Sequence, residues 1–173
     1  MSIILEARHS LEQRILNHGH VYQNTKELIG PKIALDLSGS SLSEELYAIK
    51  DYYGARFDRR YDDEKFHYDA LRYAMLHKVK EVEYFHHQGI ENRKLVIFSN
   101  DCISSIQYLR RQDHSFLLVH MRSSDVRDLL PLDLLALYEL QLAVDDVYKA
   151  EINSITMDIV IGSAHIYLEG GRS

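Results

Sequence analysis

A single cysteine, Cys102, stands among 173 residues, so no disulfide can close within the chain. Prolines number two, Pro31 and Pro131, and each stands at the start of a regularly patterned segment. No apolar run approaches the roughly 20 residues that cross a bilayer. The start, MSIILEARHS, lacks a basic region followed by a long apolar core, the mark of a secretory leader. Basic residues are outnumbered, 20 Lys and Arg against 26 Asp and Glu, and the net charge of -6 argues against binding nucleic acid by bulk electrostatics. There is no repeat, linker or low-complexity tract. Membrane spanning and nucleic-acid binding are therefore not expected, and a reducing cytoplasm is the expected location.

What is present is a hydrophobic fraction of 46% with 27% charged residues, which describes one ordinary globular domain over residues 1–173. ILEARHSLEQRILNHG places Ile4, Leu11, Ile15 and Leu16 near one helical face, with Gly19 as its stop. PKIALDLSG alternates as a short strand, and SLSEELYAIKDYYG reads as a helix with a Ser43 cap ending at Gly54. DDEKFHYDALRYAMLHKVKEVEYFHHQG has acidic residues at its start and histidines, His86 and His87, near its end, which suits the helix dipole up to a stop at Gly89. RKLVIFSN is a compact apolar strand. CISSIQYLRR and SFLLVHMRS form a hairpin around a polar turn at Gln112 to His114. LPLDLLALYELQLAVDDVYKA opens with Pro131 in a first-turn position and is apolar enough for a largely buried helix. ITMDIVIGSAHIYLE returns to strand, broken at Gly162. The fold class is α+β, a mixed sheet packed with helices.

The hairpin has a chemical consequence. A turn centred near Gln112 or Asp113 sets Cys102 opposite or nearly opposite Arg122, and a one-residue slip would part them. A thiolate is the nucleophilic form of cysteine, and an adjacent guanidinium stabilises it. The same residues are also compatible with a small buried filler at position 102 and a surface cation at position 122.

Several motifs, in order, resemble the thymidylate synthase superfamily, especially its pyrimidine nucleotide hydroxymethylase branch. CISSIQYLRR is similar to the nucleophile strand of that family, MRSSDV to its Arg-Ser-x-Asp signature, LLPLDLLALYELQLA to its Leu-Pro-x-Asn/Asp helix start, and GSAHIY to its closing Gly-x-x-His-x-Tyr. The resemblance implies a thymidylate synthase-like single domain that transfers a one-carbon unit from 5,10-methylenetetrahydrofolate to C5 of a pyrimidine nucleoside monophosphate. Cys102 would be the nucleophile at C6, and Asp125 would lie at the folate side. Arg122 and Ser123 would hold the phosphate, a task suited to a guanidinium. His165 and Tyr167 would hold the sugar. The resemblance also implies a homodimer in which Arg93 reaches the active site across the interface. Gln107 would be a structural contact.

Asp133 selects within the family. Uracil presents a donor at N3 and an acceptor at O4, which an asparagine amide complements. Cytosine presents an acceptor at N3 and a donor at N4, which suits a carboxyl group that shares a proton. The expectation is a cytidylate substrate, dCMP or CMP, and 5-hydroxymethylation. The alternatives are dUMP methylation and a homologue that binds nucleotide without catalysis. An aspartate in a helix's first turn also serves the dipole alone.

The surroundings of the cysteine depart from the family: Asp101 precedes it and Ile103 follows it. A neighbouring carboxylate opposes thiolate formation. The family's general-acid glutamate has two candidates, Glu44 and Glu45. The ten histidines show no spacing of a structural zinc site. Tyrosines such as Tyr52, Tyr53, Tyr68 and Tyr73 read as packing.

Overall fold

A computed structural model describes residues 2–86, 93–149 and 151–168. Its helices are α1 (Ile3–His18), α2 (Leu42–Tyr53), α3 (Phe57–His86) and α4 (Leu130–Val147), with a short 3-10 turn, Gly54–Arg56, between α2 and α3. Its strands are β1 (His20–Tyr22), β2 (Thr25–Ile29), β3 (Lys32–Asp36), β4 (Val96–Phe98), β5 (Ile103–Arg111), β6 (His114–Asp125) and β7 (Ser154–Tyr167). They form one mixed seven-stranded sheet in the order β1-β2-β7-β6-β5-β4, with β3 also paired to β7. Among the described residues only the β6–β7 pair is parallel, and α4 is its crossover. The chain is a single α+β domain. No helix among the described residues is long and apolar enough to cross a membrane.

The sequence explains the layering. Every residue of α4 from Leu130 to Tyr138 is buried, so this helix packs on all sides: against β6 below and against α1, α2 and α3 around it. In β3, buried Ile33 and Leu35 alternate with exposed Lys32, Ala34 and Asp36, which places the helices on one face of the sheet. At the far end of α4, Asp145 accepts from Tyr108 at 2.5 Å and Ser115 at 3.0 Å, a buried polar tie between helix and hairpin.

Some boundaries differ from the sequence reading. The cap of α2 is Ser41, not Ser43: Ser41 and Glu44 form a capping box. Leu16 is 38% exposed, because the core face of α1 follows Ile4, Leu11 and Ile15. The hairpin of β1 and β2 escapes the pattern reading, since its residues are exposed or half-buried and show no alternation. His87 and Gly89, expected to finish the long helix, lie outside the described residues.

β7 is not broken at Gly162. It runs through, but its alternation changes phase there: Met157, Ile159 and Ile161 are buried before the glycine, and Ala164 and Ile166 after it. β6 changes phase beside it, from Leu117, Val119 and Met121 to Ser124. β5 does the same at a bulge between Ile103 and Ser105, where the extra residue, Ser104, donates its hydroxyl to His120 O at 2.8 Å. Three adjacent strands are thus irregular in one row. Such irregularities re-aim side chains next to functional sites.

Candidate functional site

The row of irregularities positions Cys102. The turn at Gln112, with φ of 55°, pairs Arg111 with His114 and Ile106 with Val119. That register alone would set Cys102 opposite Ser123. The Ser104 bulge shifts it by one, so Ile103 pairs with Met121 and the Arg122 amide donates to Cys102 O at 2.7 Å. Cys102 keeps contact with both neighbours: its Sγ lies 3.8 Å from Ser123 Oγ. The thiol is exposed, so the buried-filler alternative does not apply.

A cavity of about 150 Å³ opens at this point, lined by Cys102 with Asp101 and Ile103, by Arg122, by Asp133, and by one face of α3. That face is Glu64, His67, Tyr68 and Leu71, spaced one helical turn apart. A volume of about 150 Å³ is that of a cavity that admits one six-membered ring, and here polar side chains make up most of the lining.

Asp133 lies in the first turn of α4, with 7% of its surface exposed. Its Oδ1 accepts the Tyr68 hydroxyl at 3.0 Å. Burial pushes its carboxyl up to about 7; the Tyr68 hydrogen bond opposes the rise, and the Glu64 and Asp125 carboxylates add to it. Near neutral pH the group therefore exchanges a proton readily. The Tyr68 phenol, held above its ordinary value mainly by burial and next by the Asp133 charge, remains a neutral donor.

The other expected site residues lie around the cavity rather than in its lining. Asp125 is buried, and its Oδ1 accepts the amides of Arg127 at 3.1 Å and Asp128 at 3.2 Å, which shapes the turn from β6 into α4. Tyr52 and Tyr53 donate to carbonyls of that same turn, at Arg127 and Asp128. His165 pairs with Asp125 across the parallel strands, two residues beyond the Ser123–Ser163 pair, or about 7 Å along β7. Its ring meets Tyr167 edge-on at 5.5 Å. Arg93 is exposed in the turn before β4, and its carbonyl accepts from Gln107 Nε2 at 3.0 Å.

Neither Glu44 nor Glu45 lines the cavity. Glu44 completes the capping box of α2. Glu45, 1% exposed, accepts from Ser2 Oγ at 2.5 Å, Ser40 Oγ at 2.7 Å and the amides of Ile3 and Ile4 at 3.0 and 3.3 Å. The glutamate that does reach the cavity is Glu64, beside the aspartates Asp101 and Asp133. With His67 and Tyr68 it forms a group that pattern reading missed; the available signal was the i, i+3, i+4 spacing in EKFHY. Among the described residues no cluster of three His, Cys, Asp or Glu could hold a metal ion.

No protein-family model matches the chain, and a search of curated proteins finds no match.

Proposed function

We propose that this protein is a thymidylate synthase-like enzyme that adds a one-carbon unit to C5 of a pyrimidine nucleoside monophosphate, with cytidylate as substrate and a 5-hydroxymethyl product. One observation carries the reading. Cys102, Arg122 and Asp133, singled out in three separate motifs, line a single cavity sized for one six-membered ring.

The residues have distinct tasks. The Cys102 thiolate adds to C6; the C5–C6 π pair shifts to C4–C5 as the C4–N3 π pair passes to N3, which takes up the proton of Asp133, and C5 becomes electron-rich, a covalent route that divides one difficult step into easier ones. Arg122 offers a cation both to the thiolate and to the nucleotide phosphate, with Ser123 beside it. Asp133, in its protonated form, donates to cytosine N3 and accepts from N4; protonation near pH 7 follows from its raised pKa. His165 and Tyr167, further along β7, bind the sugar. When bound, methylenetetrahydrofolate supplies the electrophilic carbon.

The same reading includes a homodimer. The sheet face turned away from the helices carries half-buried Leu118 and Val160 among exposed Lys32, His120 and Asp158. Lys32 and Asp158 on one face can pair reciprocally across a two-fold axis. Arg93 is anchored to Gln107, the cross-strand partner of Leu118 on β5, and so lies near the rim of that face. Sedimentation velocity is expected to give a dimer, and a monomer at micromolar concentration would remove the shared arginine.

A second reading, nucleotide binding without catalysis, has one observation in its favour: two carboxylates considered for catalysis, Asp125 and Glu45, are engaged by backbone amides. The deciding experiment offers dCMP, CMP and dUMP tritiated at C5, with methylenetetrahydrofolate. Tritium release to water from a cytidylate, abolished in Cys102→Ser, is the expected result. Binding without release from any of the three would leave the second reading.

A further inference from the structure

The residue preceding the nucleophile poses a problem, since a carboxylate beside a thiol opposes its ionisation. The Asp101 carboxylate is, however, engaged. Its Oδ2 accepts the Ser99 hydroxyl at 3.1 Å and lies 3.3 Å from His67 Nδ1. His67 comes from α3 and lines the same cavity as Cys102. With Nδ1 turned to Asp101, Nε2 is the basic nitrogen of the ring, as in any histidine whose tautomer a carboxylate fixes.

We infer that His67, oriented by Asp101, takes the Cys102 thiol proton when the sulfur attacks, so that α3 supplies a base that the strand around the cysteine lacks. The inference rests on Cys102 being the nucleophile of the proposed reaction. The step balances: the S–H bond breaks, its electron pair stays on sulfur and forms the S–C6 bond, and the proton passes to Nε2. The resulting imidazolium pairs with the Asp101 carboxylate and offsets its repulsion of the thiolate. Asp101 is then a positioning residue. Side chains of His67 and Asp101 are 46% and 50% exposed, so packing does not lock either of them.

The charged groups around the thiol are Glu64 and His67 from α3, Asp101 beside it, Arg122 from β6 and Asp133 from α4. The Asp133→Asn background removes the carboxyl whose pKa burial raises to about 7.

The test is carbamidomethylation of the sole cysteine of the full chain by iodoacetamide, at pH 7 and pH 10, without nucleotide or folate. His67→Gln is expected to slow the reaction about tenfold at pH 7, equivalent to one pH unit of thiolate population. It should leave the pH 10 rate unchanged, which controls for access and folding. Asp101→Asn discriminates by sign. If Asp101 positions the histidine, the variant reacts more slowly at pH 7; if it only repels the thiolate, the variant reacts faster. A faster Asp101→Asn, or a His67→Gln indistinguishable from the parent at pH 7, overturns the inference. Because no substrate is present, this result is independent of tritium release. Slowed alkylation with no release removes the pyrimidine chemistry and keeps the base, while release with unaltered alkylation does the reverse.

Discussion

The Tyr68 hydroxyl donates to Asp133 Oδ1 at 3.0 Å, joining α3 to the first turn of α4 across the mouth of a buried carboxyl. The bond fixes which oxygen of Asp133 is engaged and holds the carboxyl in a setting where burial dominates its ionisation. The consequences reach both stability and recognition.

Folding keeps a proton on Asp133 between its ordinary 3.8 and about 7, whereas the unfolded chain has released it in that range. Stability therefore falls as pH rises through this window and levels off above it. Urea unfolding at pH 5 and pH 8 should show a loss of about 3 kcal/mol from this group. Asp133→Asn should lack that component, and a pH dependence identical to the parent's would contradict the assignment. The same variant should shift nucleotide preference from dCMP toward dUMP, because the amide offers what uracil needs.

Gly162 concerns the sheet. A Cβ there would stand 2.6 Å from Arg122 O, a distance no relaxed structure accommodates. Gly162→Ala should cost about 2 kcal/mol in urea unfolding through overpacking and weaken nucleotide binding by displacing Arg122. Gly39→Ala, where a Cβ meets nothing within 4 Å, is the matched control and should be close to neutral.

Glu45 separates architecture from chemistry. Removing a buried carboxylate with four donors leaves those donors without partners, and Glu45→Ala should destabilise by about 3 kcal/mol. Alkylation of Cys102 below the melting transition should be unchanged. Loss of tritium release in a folded Glu45→Gln variant would instead give this residue a catalytic part.

That Cys102 comes to lie near Arg122 was legible because a short turn bounds hairpin register, but the turn alone sets Cys102 opposite Ser123, and the final step to Arg122 is made by the Ser104 bulge. The Ser104 bulge was passed over, although Ile103 and Ile106 stand three apart in an otherwise alternating strand, and the gap between Ile161 and Ala164 was taken for a break at Gly162 where β7 only changes phase. The fold class followed from the same periodicities. What strand patterns could not reveal is the contribution of α3. Glu64, His67 and Tyr68 meet the cysteine segment only through packing of a helix more than thirty residues away in sequence, and on the helix itself they read as ordinary polar and aromatic positions. The tie between Glu45 and the N-terminus of α1 was hidden for the same reason: no local pattern announces a carboxylate that caps another helix. Asp125 presented the opposite difficulty, because an aspartate shaping a turn and one awaiting a ligand share the same letter.

The row formed by Ser104, Arg122 and Gly162 divides labour along the sheet. On one side, strict alternation of large apolar residues specifies strand pairing and seats α4. On the other, Ser123, Ser163, His165 and Tyr167 stand half-buried, free of that duty. Substitutions at that end can therefore alter charge, size or hydrogen-bonding pattern without disturbing the hydrophobic cadence that encodes the scaffold.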